Sequence, residues 1–239
     1  MWLFNSSVGR KFVMGITGAA LALFLLFHAT MNIVVIVSPS GYNAICAFLG
    51  ANWYAIVGTL GLAALALIHI IYAFVLTIMN YRARGSVRYA VTDRQEQVEW
   101  SSKNMLVLGF IILAGLCLHL YNFWFKMQFA EITGIETGAF DPHNGAAYVQ
   151  ELFANPVYCV VYLVWLLGLW FHLSHGIWSS MHSIGWSNNK WLVRIKWIGK
   201  ILATLIVLMF ASVVVYYFVY NICGGADVVE TGKAVSLLF

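Results

Sequence analysis

The sequence has 239 residues, of which 62% are hydrophobic and only 9% are charged. This is far more apolar than one soluble core requires, so the composition predicts an integral membrane protein with short loops and no soluble domain. The formal net charge is +4, but the basic residues are sorted between alternate loops, which favours membrane topology over nucleic-acid binding.

Five long apolar runs follow one another along the chain. They cover about 12–37, 53–80, 104–126, 156–182 and 197–222. Each run reaches the roughly 20 residues that cross a hydrocarbon core as a helix. The first run follows Arg10 and Lys11, as in a signal peptide, but it is too long and has no clear small-residue cleavage site, so we expect a retained helix. The prediction is an all-α bundle of five transmembrane helices, forming a single domain over 1–239.

The charged residues predict the orientation of the bundle. Eleven of the 13 basic residues precede the first run or lie in the second and fourth loops: Arg10, Lys11, Arg82, Arg84, Arg88, Arg94, Lys103, Lys190, Arg194, Lys196 and Lys200. The opposite face keeps two basic and six acidic residues: Lys126, Lys233, Glu131, Glu136, Asp141, Glu151, Asp227 and Glu230. By the positive-inside rule, the N-terminus is cytoplasmic and the C-terminus is outside.

Residues at the ends of the runs agree with these boundaries. Asn155 and Pro156 are typical of the N-cap and first turn of a helix, and Ser101 or Ser102 is a candidate cap for the third span. Gly224 and Gly225 are expected to end the fifth span. Six tryptophans near the predicted ends are expected to lie at the membrane interface: Trp2, Trp53, Trp100, Trp124, Trp186 and Trp191.

The four cysteines do not form a recognisable metal or haem-attachment motif. Cys46, Cys117, Cys159 and Cys223 are far apart and include neither CxxC nor CxxCH. We therefore expect neither a thiolate metal site nor covalently attached haem, and interpret the cysteines as small core residues.

Histidines inside the predicted spans are the first candidates for function, because a buried imidazole in lipid needs a partner for its ring nitrogens. Four spans have one near mid-depth: His28, His69, His119 and His172, with His175 one turn beyond the last. Hydrogen bonding to a neighbouring carbonyl or serine is the alternative role for each of them. A zinc site is disfavoured, since there is no HExxH motif and no cluster of three ligands at one height.

The depths of these histidines fall into two couples. His28 is 16 residues beyond Phe12 and His119 is 15 residues beyond Asn104, which places both roughly 22–24 Å from the cytoplasmic start of their helices. His69 stands 12 residues before Tyr81 and His172 stands 11 before Ser183, which places both roughly 16–18 Å from the cytoplasmic end.

Two couples at two heights are what two bis-histidine haems require. Iron bound by two imidazoles has no open coordination position, so such haems suit electron transfer better than oxygen chemistry. Eight glycines in the spans provide room either for a flat macrocycle or for close helix contacts: Gly15, Gly18, Gly58, Gly61, Gly109, Gly115, Gly168 and Gly176.

At these residues the chain resembles a known family. The segment Ser6–Lys11, followed by Met14, Thr17, Gly18, Phe27, His28 and Asn32, resembles the first helix of the five-helix, dihaem cytochrome b membrane subunit of succinate dehydrogenases and menaquinol:fumarate reductases. The segment Phe171–Ser179 resembles the fourth-span ligand motif, in which the haem histidine stands four residues before a glycine. The likeness runs through the whole chain.

The resemblance implies ligands, cofactors and partners. His69 and His172 would hold a proximal haem b and His28 and His119 a distal one, with His175 as a rival to His172. A flavoprotein that interconverts succinate and fumarate and an iron–sulfur protein would dock on the basic cytoplasmic face of a bacterial inner membrane. The quinone would be menaquinone. Membrane topology alone also accounts for the basic loops.

One part of the family pattern is absent. Some relatives have carboxylates near the outer quinone site and in the fourth helix just before the haem ligand. Here Trp170 stands two residues before His172, and no predicted span contains Asp or Glu.

The external loops contain further candidate residues. Tyr42, Asn43, Asn52 and Tyr54 have side chains able to bind a quinone or to cap helices. His143, Glu131, Asp141 and Glu151 are expected to be solvated. His182, at the cytoplasmic boundary, is expected to be an interfacial residue, although a contact with a haem propionate is an alternative.

Two other functions remain open from the sequence. The chain is alternatively the cytochrome b subunit of a hydrogenase or formate dehydrogenase, or a haem-free channel or transporter in which the histidines are polar contacts or proton relays.

Overall fold

The structure is a computed structural model that describes residues 6–84, 99–186, 188 and 190–224. Seven residues named above lie outside these ranges: Trp2, Arg88, Arg94, Gly225, Asp227, Glu230 and Lys233.

Five long helices confirm the predicted all-α membrane fold, and the described ranges contain no strand. They are α1 (Ser7–Val37), α3 (Trp53–Arg84), α5 (Met105–His119) with its continuation to Thr133, α8 (Pro156–Ile184) and α9 (Leu192–Ile222). Each is long and apolar enough to cross a bilayer. In lipid, a helix is favoured because it satisfies the backbone polar groups within one segment.

Four short helices join the long ones: α2 (Pro39–Phe48), α4 (Trp100–Lys103), α6 (Ala130–Thr133) and α7 (Gly145–Ala154). The prediction that Ser101 or Ser102 caps the third span is wrong, because both lie inside α4, which follows Glu99. The prediction for α8 is confirmed: the helix begins at Pro156, and Asn155 Oδ1 accepts the backbone N–H of Val157 at 2.9 Å.

The third span is longer and less regular than predicted. A π-helix, π1 (Leu120–Phe129), follows α5 without a break and leads into α6. Its polar residue Gln128 is satisfied within the protein: Nε2 donates to Gly50 O at 2.8 Å and Oε1 accepts from Thr59 Oγ1 at 2.9 Å. Glu131 therefore lies within the helical segment and not in a loop.

The helices pack as two compact units. Among the described residues, unit 1 consists of 6–25, 61–84, 99–110, 170–186, 188 and 190–204, and unit 2 consists of 26–60, 111–169 and 205–224. In unit 1, Gly15 packs closely on Ser183 and Ala203 is fully buried. In unit 2, Tyr217 is buried and its hydroxyl donates to Val35 O at 3.0 Å. The single domain expected from the sequence stays a prediction.

The interfacial tryptophans of the described ranges have substantial exposed surface, as expected for residues at a membrane boundary: Trp53, Trp100, Trp124, Trp186 and Trp191. The cysteines agree less well with their prediction. Cys159 is buried, but Cys117 and Cys223 are exposed and are not core residues. Burial raises the pKa of Cys46 to about 11, so its thiol stays protonated at neutral pH.

Candidate functional site

In unit 1, His69 of α3 and His172 of α8 face each other. Their ring centroids are 6.4 Å apart, and the ring planes are inclined by 64°. Both rings are half-buried. The predicted rival, His175, lies one turn further along α8 and points to a different neighbour: its Nδ1 is 3.4 Å from Glu99 Oε2. The structure therefore brings His172, and not His175, next to His69.

The orientation of His69 is fixed by Thr17 on α1. Thr17 Oγ1 is buried and donates to Val13 O at 2.9 Å, which leaves its lone pairs to accept from His69 Nδ1 at 3.1 Å. A proton on Nδ1 leaves Nε2 of His69 as the nitrogen with a lone pair for a metal. Such a hydrogen bond to the second ring nitrogen is the usual support for a metal-binding histidine.

Gly18 allows this approach between α1 and α3. A Cβ atom at residue 18 would lie 3.2 Å from His69 Cε1, which is tighter than ordinary van der Waals contact. A side chain at this position would push the imidazole away from Thr17. Thr17 and Gly18 together therefore set the position of the His69 imidazole.

His172 has an unsatisfied polar atom. Its Nδ1 is fully buried and has no hydrogen-bond partner among the described residues. An unpaired buried polar group costs about 1–3 kcal/mol, so this nitrogen requires a partner that the described part of the chain does not supply.

In unit 2, His28 of α1 and His119 of α5 form the second couple. Their ring centroids are 5.8 Å apart and their planes are inclined by 82°. Aromatic rings surround them: Phe210 lies 5.5 Å from His28, while Phe123 and Trp165 lie 5.1 and 5.8 Å from His119. This apolar surrounding would keep water away from a group bound between the two imidazoles.

The helix that carries His119 changes its winding at this residue. Helix α5 ends at His119 and π1 begins at Leu120. On the preceding turn, Gly115 leaves the space that Trp165 fills, and Trp165 Nε1 donates to Ile112 O at 3.3 Å. Segments of π-helix often occur at functional sites, and neither this segment nor the contact between Gly115 and Trp165 was predicted from the sequence.

Both couples meet the distance requirement for a bis-histidine metal centre. Metal–imidazole bonds are about 2.0–2.1 Å long, so two imidazoles on one metal ion have ring centroids roughly 6 Å apart. Each couple comes from two different helices, as a macrocycle lying between helices requires. No group of three metal-binding side chains occurs among the described residues. The separation of each couple is therefore compatible with one metal ion held by two imidazoles.

The structure shows which of the eight glycines in the spans make room for close packing contacts. Close contacts explain four of them, namely Gly15 against Ser183, Gly18 against His69, Gly115 against Trp165 and Gly168 against Ile111. A Cβ at the other four would meet nothing within 4 Å: Gly58, Gly61, Gly109 and Gly176.

The candidate quinone residues of the first external loop are engaged within the protein. Asn52 Nδ2 and Tyr54 OH donate to Phe48 O at the end of α2, at 3.0 and 2.7 Å. Asn43 joins α2 to α7 by donating to Asn144 Oδ1 and accepting from Ala146 N, both at 2.9 Å. The capping alternative therefore accounts for Asn52 and Tyr54.

Tyr42 is the member of this group that lies next to a candidate ligand. Its hydroxyl donates to Asn32 Oδ1 at 3.3 Å, and Asn32 Nδ2 donates to His28 O at 2.8 Å. Burial raises the pKa of Tyr42, so its phenol stays protonated. The resulting chain of contacts joins α2 to the turn of α1 that carries His28.

His143 and Glu131 are not simply solvated, contrary to their prediction. His143 Nδ1 lies 2.9 Å from Asp141 Oδ1, and Nε2 lies 3.0 Å from Glu131 Oε1. Glu131 Oε2 also accepts the backbone N–H of Ala51 at 2.9 Å. Burial lowers the pKa of His143, but hydrogen bonds and charges of Glu131 and Asp141 outweigh it and raise the pKa above its usual value.

His182 lies in the last turn of α8 with an exposed side chain, in line with the expected boundary position.

Comparisons of the chain with protein-family models, curated proteins and solved structures found no match.

Proposed function

We propose that this protein is a dihaem cytochrome b that transfers electrons within a membrane. The observation that carries the proposal is the pair of histidine couples, His69 with His172 and His28 with His119, each at a separation that suits one shared metal ion. His172 Nδ1 has no hydrogen-bond partner among the described residues, so a purely hydrogen-bonding role does not account for this ring.

The chain contributes ligation, orientation and insulation. His28, His69, His119 and His172 would bind the two irons, and Thr17 would hold His69 in the tautomer that presents Nε2. Bound haem supplies reversible one-electron chemistry at an iron without an open coordination position. The aromatic residues near His28 and His119 exclude water, and a more apolar, less hydrated surrounding is one of the means by which a protein sets a redox potential.

The more specific assignment rests on the resemblance of the first and fourth spans. On that basis the protein is the membrane-anchor subunit of a bacterial succinate:quinone oxidoreductase or quinol:fumarate reductase, with a cytoplasmic N-terminus. Electrons would pass between menaquinone and an iron–sulfur subunit, while a flavoprotein subunit carries the dicarboxylate active site. Basic residues such as Arg82, Arg84 and Lys103 would lie on the docking face.

Purification of the native complex in mild detergent tests this assignment. The expected result is co-purification with a flavoprotein and an iron–sulfur protein, together with quinone-dependent oxidation of succinate or reduction of fumarate. Co-purification with hydrogenase or formate dehydrogenase subunits would reject the family assignment and retain the cytochrome. A purified complex with no b-type reduced-minus-oxidised spectrum would reject both and favour a channel or transporter.

A further inference from the structure

Unit 1 contains an open groove on the side of α8 away from His172. Its volume is about 360 Å³, and it lies between the second half of α8, the first turns of α9 and the start of α4 with the preceding Glu99. The lining residues that matter for the following argument are Glu99, Trp170, Trp178, Lys196, Trp197 and Lys200. None of them is a proposed haem ligand.

The groove has an excess of positive charge. Lys196 and Lys200 stand one turn apart on α9, and Glu99 is the carboxylate that faces them. Glu99 is already engaged: its Oε1 lies 3.5 Å from Lys196 Nζ, and its Oε2 accepts from Trp178 Nε1 at 3.2 Å. No carboxylate of the described residues lies within ion-pair distance of Lys200. The groove thus combines two ammonium groups with one carboxylate.

Indole rings hold the two ammonium groups at the groove. Lys196 Nζ lies 4.5 Å from the centroid of Trp178, and Lys200 Nζ lies 5.9 and 5.8 Å from the centroids of Trp170 and Trp197. These distances are within the range of cation–π attraction, which limits the motion of the side chains without neutralising their charge. The charge of Lys200 therefore remains available to an anion, while Lys196 shares its charge with Glu99.

The groove continues into an apolar surface on the same helix. Val193, Trp197 and Ile201 are spaced by four residues, so they form one stripe, and their exposed fractions are 61%, 62% and 63%. Nearby Trp186 and Trp191 are also exposed. Exposed indoles at the end of a membrane span are typical of the headgroup level. Cationic side chains and an apolar stripe therefore meet at this level.

We propose that this groove binds an anionic phospholipid. The lipid phosphate would lie against Lys196 and Lys200, and an acyl chain would follow the stripe of Val193, Trp197 and Ile201. Basic pockets beside transmembrane helices on the cytoplasmic side are known to suit such headgroups. The proposal does not depend on haem or on the family assignment.

Native mass spectrometry of the purified, delipidated complex tests the proposal, with phosphatidylglycerol and phosphatidylcholine as the added lipids. The wild type is expected to bind one phosphatidylglycerol in preference to phosphatidylcholine. The K196Q/K200Q variant should weaken this binding about 25-fold, or about fivefold for each lysine removed. K196R/K200R keeps the charge and should retain the lipid.

The K190Q/R194Q variant is the matched control, because it removes two positive charges near the start of α9 but outside the groove. It should bind phosphatidylglycerol much as the wild type does, and inorganic phosphate should not displace the lipid. Equal weakening by both double glutamine variants would overturn the proposal, as would equal binding of both lipids or displacement by inorganic phosphate. So would a K196Q/K200Q protein that keeps the lipid but loses a partner subunit, since the groove would then be a protein-docking surface.

Discussion

The hydroxyl oxygen of Thr17 lies 3.1 Å from Nδ1 of His69, and because the hydroxyl hydrogen is donated to Val13 O, we assign Nδ1 as the donor of this bond. The bond joins α1 to α3 inside unit 1 and selects the ring nitrogen of His69 that remains for a metal. Thr17, a residue of α1, thereby orients a candidate metal ligand on α3.

Replacement of Thr17 by valine should therefore loosen the site of His69 and His172. The side chain keeps its shape but loses the acceptor for Nδ1, and loss of such a support typically lowers metal affinity about 10–100-fold. Redox titration of the purified protein should show a shifted midpoint potential or partial loss of one haem. Thr17→Ser keeps the hydroxyl and should behave like the wild type; equal effects of the two substitutions would show that the hydrogen bond is not the cause.

Single histidine substitutions should remove the haems one at a time. His28→Ala or His119→Ala should lower the haem content from two per chain to one, because each couple is built from its own two helices. His69→Ala or His172→Ala should remove the other haem. His175→Ala is the control within the same turn of α8, since its imidazole contacts Glu99, and it should retain two haems. Loss of a haem in His175→Ala but not in His172→Ala would reverse the ligand assignment.

Gly18→Ala should also lower haem content, by a steric route. The new methyl group would press on His69 Cε1, whose ring Thr17 holds in place. Gly61→Ala is the matched control, because a Cβ at that position meets nothing within 4 Å. Gly61→Ala should stabilise α3 by about 0.5–1 kcal/mol without loss of haem. A visible absorption spectrum normalised to protein measures both variants, and equal haem content in the two would refute the steric explanation.

The contacts of His143 should make stability depend on pH. Its pKa is raised in the folded protein by Glu131 and Asp141, from an ordinary value of 6.5. The contribution to stability is therefore fully present below pH 6.5 and is lost as the pH rises through the folded-state pKa. Because His143 is 44% exposed, we expect its contacts to contribute less than about 1 kcal/mol to the free energy of unfolding.

Thermal unfolding of the wild type and His143→Gln between pH 5 and pH 9 measures this effect. The wild type should have the higher melting temperature at acidic pH, and the difference should shrink with rising pH. A difference that grows towards alkaline pH would contradict the raised pKa.

The five membrane spans were predictable because lipid permits few ways to satisfy a backbone, and a long apolar run then indicates a helix. The end of the third span was not predictable, because Lys126, Gln128 and Glu131 interrupt the apolar pattern. The structure shows why the helix continues: Gln128 and Glu131 bond to backbone groups of Gly50 and Ala51. Such compensation by a distant segment is not visible in local hydropathy.

The histidine couples were predicted from depth alone, since 1.5 Å per residue converts position in the sequence into height. The roles of Thr17, Gly18 and Trp165 could not be predicted in this way. They depend on the rotation of each helix about its axis, which the height of a residue does not define. From the sequence, Thr17 stood out only as part of a family likeness, and Gly18 as part of that likeness and as one of eight glycines in the spans. Coordination of iron by the four histidines stays a prediction.

Haem stoichiometry of the purified wild-type complex tests the central claim most directly. A pyridine haemochrome assay, normalised to the amount of this chain by quantitative amino-acid analysis, should give two haems b per chain, in addition to any haem assigned to partner subunits. A complex that is correctly assembled and contains no haem b bound to this chain would contradict the account.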